Sequence, residues 1–349
     1  MNYIINARFL TQTITGVQRF AIEMSKELIK INPDIQFIAP QNIIHHDLAE
    51  ELNVQFIGQL KSHLWEQVTV PKYLKEHGEP LLINLCNTAP INYPNKVVVM
   101  HDIAFKAFPD NYSLFFRTFY NYLIPKILHS AKKIITVSDF SKEEIARYYS
   151  INKDDIEVVH NAVNKRFKPI KTETEEKYIL AVSSISKRKN FSSLLKAIQL
   201  ISNRDIKLYI AGDFDSNFKS DPFLHLAESN IVFKGRVSDQ ELITLYSNAL
   251  AFIFPSLYEG FGIPPLEAMA CGCPVAVSNT TSLPEVCGDA AIYFDPLDVN
   301  DIINKIEKVI QDNDLKNTLR CKGFEQVKKY SWEKSSIHLN NILKQELES

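Results

Sequence analysis

Ser256-Leu257-Tyr258-Glu259-Gly260-Phe261-Gly262-Ile263-Pro264-Pro265-Leu266-Glu267 runs directly into Ala268-Met269-Ala270-Cys271-Gly272, and the rest of the chain is organised around this stretch. It follows a short apolar run at 251–254, which reads as a buried parallel strand. Two glycines give a loop whose backbone can approach a ligand closely. Pro264-Pro265 can open a helix, because proline is tolerated at the first helical positions. Glu259 then sits on the loop and Glu267 in the first turn of the helix. Free backbone N–H groups and the positive end of the helix dipole suit a phosphate-bearing ligand. A carboxylate at each end of such an anion site suits sugar hydroxyls, so the expected ligand is a sugar nucleotide. Acids that only cap a helix start would leave the coincidence of glycines, prolines and both carboxylates without a cause.

The same alternation of strand and helix continues outward in both directions. The chain has 349 residues, enough for two ordinary domains. Strand candidates lie at 3–5, 36–38, 81–85, 97–100, 133–137 and 156–159 in the first half. In the second half they lie at 178–182, 206–211, 231–233, 251–254, 275–277 and 291–294. Residues 17–31 have helical spacing (Phe20, Met24, Leu28) and stop at Asn32-Pro33. A helix over 239–248 opens with Ser238 and Glu241 in capping-box spacing. The charged, Pro169-containing segment 165–177 reads as a linker. This pattern predicts α/β structure with parallel sheets covered on both faces.

Composition narrows the function. With 45% apolar and 23% charged residues the chain is globular, and a net charge of −2 removes the electrostatic case for nucleic-acid binding. Cys86, Cys271, Cys273, Cys287 and Cys321 lack zinc-type spacing and read as thiols in a reducing cytoplasm. No signal peptide and no run of membrane-spanning length is visible.

Taken with Cys273-Pro274-Val275-Ala276-Val277-Ser278 and Leu283-Pro284-Glu285-Val286, the opening stretch resembles the donor-site signature of retaining glycosyltransferases of family 4. The resemblance covers essentially the whole chain and is densest over 235–296. It implies the GT-B fold: two Rossmann-like doubly wound domains facing across a cleft, at 1–165 (acceptor) and 166–330 (donor). A C-terminal helix, 331–349, then crosses back to the first domain.

Further site residues follow from that resemblance. His101-Asp102 ends the strand candidate at 97–100, where a site would lie. His101 is expected to donate a hydrogen bond to the donor sugar or leaving diphosphate, and Asp102 has no assigned role. Arg188 and Lys189, in Ser186-Lys187-Arg188-Lys189-Asn190, match the basic pair that binds the diphosphate. The chain departs from many relatives in carrying Ser183-Ser184 where they have an earlier arginine. Gly16 of Thr15-Gly16-Val17 resembles the first-domain glycine loop, and Val237 lies in a loop resembling the one that holds the nucleobase. Asp213-Phe214-Asp215 spells a metal-binding pattern of another transferase class and is read as coincidence. His45-His46 is read as surface.

The expected reaction moves a hexose from a nucleoside diphosphate sugar to a glycan or lipid-linked glycan hydroxyl, with retention and without a metal. Glu259, His101 and Lys189 are the expected catalytic residues. Glu267 would hold the ribose, while Gly260, Phe261, Gly262 and Ile263 line the sugar pocket. The favoured donor is GDP-mannose, by likeness to bacterial O-antigen and capsule mannosyltransferases, with UDP-hexoses and dTDP-rhamnose behind it. Rival readings are a retaining glycosidase, a sugar-nucleotide epimerase and a catalytically silent nucleotide-binding subunit. The aromatic, basic segment 112–133 reads as a core-facing helix, with peripheral contact to the inner membrane face as the sharper alternative. No sequence signal bears on oligomeric state.

Overall fold

The computed structural model describes residues 3–170, 176–201, 205–213 and 230–348. Two all-parallel sheets carry the fold. The first contains β1 (Tyr3–Asn6), β2 (Gln36–Ala39), β3 (Gln55–Phe56), β4 (Leu81–Asn84), β5 (Lys96–Val99), β6 (Lys133–Thr136) and β7 (Ile156–Val158), in the order β3-β2-β1-β4-β5-β6-β7. The second contains β8 (Tyr178–Val182), β9 (Lys207–Ala211), β10 (Ile231–Gly235), β11 (Phe252–Phe254), β12 (Val275–Ser278) and β13 (Ala291–Phe294), in the order β10-β9-β8-β11-β12-β13. Central strands such as β1, β4, β5 and β12 are buried at every position, as continuous apolar runs covered on both faces require.

In both sheets the strand order reverses next to the first strand: between β1 and β4, and between β8 and β11. Doubly wound sheets open a crevice at such a reversal, outside the carboxyl ends of the two strands. The reversals therefore name two places where ligands belong. The expected strands are present with ends shifted by a residue or two. The exception is β3, whose exposed Gln55-Phe56 pair is too short to leave a signal and serves as a blunt edge.

Spatial clustering divides the chain into two compact units. One is built from residues up to Lys106, Tyr112–Asn161 and the chain from Trp332 onward; the other from Ala107–Asn111 and Ala162–Ser331. Within the first, the helix Gly16–Ile31 is held at its start by a reciprocal Thr15/Gln18 capping box. The final helix, Trp332–Glu348, packs against it, with the Trp332 ring 5.8 Å from Phe20. Ser335 donates to the His160 carbonyl at 2.8 Å and Lys132 to that of Glu346 at 3.1 Å.

The helix Leu114–His129 has two characters. Its second half buries Leu123, Ile124, Ile127 and Leu128, whereas Leu114, Phe115 and Tyr122 are exposed. Among the described residues no helix is long and apolar enough to cross a membrane.

One buried cation bears on stability. Lys96, at 0% exposure, donates to the Tyr93 carbonyl at 2.9 Å and to the Ser130 hydroxyl at 2.6 Å, with no carboxylate beside it in those contacts. Burial lowers its ammonium from 10.5 to about 8. The unfolded chain therefore binds this proton more tightly between pH 8 and 10.5, and stability rises with pH across that window by up to about 3 kcal/mol. Urea unfolding at pH 8 and pH 10.5 should show that gain in the wild type and its loss in Lys96→Met; parallel pH slopes would refute it.

Candidate active site

At the reversal in the second sheet, the chain leaving β8 turns through one 3₁₀ turn, Lys187–Lys189, into the helix Phe191–Leu200. The chain leaving β11 runs through the glycine loop into the helix Ile263–Ala270. The two connections are joined where they meet: the Leu257 N–H donates to the Arg188 carbonyl at 2.9 Å. Arg188 Nη1 donates to the Tyr258 carbonyl at 2.6 Å and lies 3.6 Å from Glu259 Oε2. Lys189 Nζ donates to Glu259 Oε1 at 2.5 Å and stands 5.4 Å from the Phe254 ring centre. Arg188, Lys189 and Glu259, expected as separate ligand contacts, form one ionic cluster.

Burial alone would raise the Glu259 carboxyl. Lys189 and then Arg188 outweigh it and hold the group below its ordinary value. Glu259 is therefore a carboxylate at any pH where the protein works, able to accept hydrogen bonds and not to donate a proton.

Several groups unmarked in the sequence fix this cluster. Ser282 Oγ lies within hydrogen-bond reach of the carbonyls of Glu259 (3.0 Å) and Phe261 (2.9 Å), and Thr281 Oγ1 accepts from the Glu259 N–H at 3.2 Å. Thr281 takes φ +56°, a left-handed conformation that a β-branched residue adopts only under constraint. Asn190, also left-handed, anchors the basic turn by donating to the Pro296 carbonyl at 2.8 Å. The polar run Ser278-Asn279-Thr280-Thr281-Ser282 was the available signal for the first two.

Glycine is required at two positions. Gly262 has φ +101°, and a Cβ there would lie 2.7 Å from Leu283. Gly212, after β9, has φ +140°, and its Cβ would fall 1.9 Å from the Ser183 carbonyl oxygen. The Ser183-Ser184 turn is thus pressed directly against Gly212.

Gly262 is the N-cap of the Ile263–Ala270 helix, so the helix starts one residue before the prolines. Glu267 is its fifth residue and sits in the second turn rather than the first. It is buried and accepts from Tyr246 Oη at 3.3 Å, a partner on the Asp239–Asn248 helix. Gly260 and Phe261 are buried and Ile263 is half-buried, while Val237 is half-buried in the turn before the Asp239–Asn248 helix, whose Ser238/Glu241 capping box is present.

His101 and Gly16 belong to the first unit. His101 follows β5, is 5% exposed, and meets the Phe20 ring edge-on at 4.9 Å. Its Nε2 lies 2.9 Å from the Leu85 carbonyl, which can only accept, so Nε2 carries the ring proton. Burial lowers the imidazole below its ordinary value. A neutral ring with Nε2 protonated presents Nδ1 as an acceptor. The expected donation from His101 is therefore replaced by acceptance, which suits a sugar hydroxyl and not a phosphate oxygen. Asp102 accepts from the Ala104 N–H at 2.9 Å and caps a turn. Gly16 is the first residue of its helix and is exposed.

Asp213 pairs with Arg236 at 2.7 Å, while Phe214 and Asp215 lie outside the described residues. Of the 165–177 segment, 171–175 likewise lie outside them. His45 Nε2 contacts the Gln12 carbonyl at 2.9 Å. Among the described residues no group of three or more His, Cys, Asp or Glu side chains is placed to hold a metal ion.

Two doubly wound parallel-sheet units define an α/β protein of the GT-B class. The family model for glycosyl transferases group 1 matches residues 163–326, and that for glycosyltransferase family 4 matches 14–167. O-antigen chain mannosyltransferase B of Escherichia coli is 34% identical over 275 residues, 73% of this chain and 71% of that protein. O-antigen chain mannosyltransferase RfbU of Salmonella typhimurium is 28% identical over 326 residues, 88% of this chain and 91% of that protein. In structure, the chain is similar to Anabaena HepE in complex with UDP and glucose (TM-score 0.76, 15% identity, 99% and 100% coverage). It is also similar to WaaG, a glycosyltransferase involved in lipopolysaccharide biosynthesis (TM-score 0.73, 14% identity, 98% and 99% coverage). The chain belongs to the family 4 glycosyltransferases.

Gly212→Ala should destabilise the second unit by at least about 2 kcal/mol, since strain at positive φ and a backbone overlap act together. Chemical denaturation measures this; an unchanged midpoint would show that the Ser183 carbonyl is not where it is drawn.

Proposed function

We propose that the protein is a retaining, metal-independent mannosyltransferase that moves mannose from GDP-mannose to a hydroxyl of a cell-surface glycan or lipid-linked glycan. The observation that carries the reading is the Lys189–Arg188–Glu259 cluster at the β8/β11 reversal. The mannosyltransferase names of the relatives support the choice of sugar. The same names favour O-antigen assembly, and the proposal includes a cytoplasmic location.

The residues divide the labour by charge. Lys189 and Arg188 stabilise the diphosphate as negative charge builds on the leaving group. Glu259, a permanent carboxylate, accepts from hexose hydroxyls. Glu267, steadied by Tyr246, accepts from the ribose diol. His101 accepts from a sugar hydroxyl through Nδ1. Backbone N–H groups of residues 260–263 line the sugar pocket. Because Glu259 is held ionised, it cannot serve as a general acid, which disfavours the glycosidase reading. Front-face attack, with the donor's phosphate oxygen taking the acceptor proton, needs no protein nucleophile.

GDP should raise the melting temperature more than UDP or dTDP, since a ligand of the native state alone stabilises it. Glu267→Ala should abolish most of that shift. Lys189→Ala should lower kcat by about 10²–10³. GDP release that requires acceptor, survives EDTA and yields an α-linked product by NMR fits the proposal. Consumption of donor without acceptor, or a β-linked product, contradicts it.

A further inference from the structure

Two cations and one carboxylate stand together at the β8/β11 reversal. Lys189 Nζ donates to Glu259 Oε1 at 2.5 Å and Arg188 Nη1 lies 3.6 Å from Oε2, so each carboxylate oxygen faces its own cation. All three side chains are largely buried, at 11% exposure for Lys189 and Glu259 and 18% for Arg188. Charges so far removed from water are weakly screened, and each one raises or lowers the energy of any other brought beside it.

The backbone that carries the carboxylate is tied on both sides. The Glu259 N–H donates to Thr281 Oγ1 at 3.2 Å, and Ser282 Oγ lies 3.0 Å from the Glu259 carbonyl and 2.9 Å from that of Phe261. The preceding carbonyl, of Tyr258, accepts from Arg188 at 2.6 Å, and the Tyr258 ring meets Phe108 edge-on at 5.7 Å. Burial works against the ionised carboxyl, but Lys189, then Arg188 and Ser256, hold it below its ordinary value. A permanent anion is therefore fixed against the same two cations that the donor reading assigns to the diphosphate.

We infer, on the donor reading given above, that Glu259 selects for a diphosphate that still carries its hexose and against the free nucleoside diphosphate. Two cations against one carboxylate leave the cluster with a single positive charge. A sugar nucleotide brings about two negative charges, and the free nucleoside diphosphate about one more above pH 7, because its terminal phosphate ionises a second time. Either ligand shares Lys189 and Arg188 with Glu259 and meets a like charge there, which is unfavourable. The sugar nucleotide offsets this with hexose hydroxyls that donate to the carboxylate. The free diphosphate has no such hydroxyls and carries the larger charge. Loss of the hexose thus weakens the hold on the remainder, and the carboxylate that recognises the donor also favours release of the spent nucleotide. A carboxylate that merely kept Lys189 and Arg188 in place would act the other way: neutralising it would loosen the cations and weaken both ligands.

Calorimetric titration of the full chain with GDP, GDP-mannose, UDP and UDP-glucose at fixed salt and pH 7.5 reads the affinities. In the wild type, a sugar nucleotide should bind at least as tightly as its own free diphosphate, despite its smaller charge. Glu259→Gln keeps the shape and removes the charge; it should bind the free diphosphate at least about tenfold tighter, as relief of a buried like-charge contact implies, and the sugar nucleotide no tighter than about twofold. Glu259→Asp retains the charge and should leave the free diphosphate as weakly bound as in the wild type. Adding Lys189→Met to Glu259→Gln should cancel the gain. The proposal fails if the free diphosphate binds the wild type more tightly than its sugar nucleotide does. It fails equally if folded Glu259→Gln binds the diphosphate no more tightly than the wild type; should that variant not fold, the wild-type order of affinities and Glu259→Asp decide. If none of the four nucleotides binds the wild type, the donor reading itself is overturned, a result distinct from binding without the expected order.

Discussion

The ion pair between Lys189 and Glu259 is the constraint around which the second unit is arranged. Two connections leaving neighbouring strands must converge closely enough for a 2.5 Å contact. To achieve this the structure accepts a left-handed asparagine, a left-handed threonine and two glycines in conformations unavailable to other residues. A buried carboxylate without its cations would be expensive, and a buried lysine without its carboxylate equally so. Each charge makes the other tolerable, and the cluster is thereby held in one shape.

The first unit repeats the same solution with different residues. Its reversal point holds Arg8 and Glu66 where the second holds Lys189 and Glu259, but the surroundings differ in a way that matters. Arg8 is locked between Glu66 and Thr88 by its planar fork, whereas Lys189 sits on a single turn as a compact charge. A locked guanidinium fixes its carboxylate in place, whereas a lysine on a short turn keeps the freedom to exchange partners.

Much of this was legible in the sequence because it is local. Buried parallel strands announce themselves as apolar runs, so the strands came within a residue or two, and Ser238/Glu241 marked a helix start that the structure keeps. Residues 256–267 placed Glu259 correctly because loop, glycines and prolines are contiguous. The same stretch misplaced Glu267 by one residue, from the end of the first helical turn into the second, since Gly262 at φ +101° starts the helix earlier than the prolines suggest. Features that depend on distant partners were illegible. Nothing near His101 discloses that its ring N–H donates to the Leu85 carbonyl. The buried hydrogen-bond network of Asn6, Arg8, Glu66, Asn84 and Thr88 needs all of them at once, and the turn that carries Glu66, Trp65–Thr69, is a π-helical irregularity that periodicity cannot register.

The Trp332–Glu348 helix follows the whole second unit in sequence, yet it completes the first unit by covering the Phe20 face of the Gly16–Ile31 helix. On the ribosome, that face emerges early and waits for its cover until the whole of the second unit has been synthesised. The first unit thus spends part of translation with an unfinished core, which residues 332–348 close once they have been made.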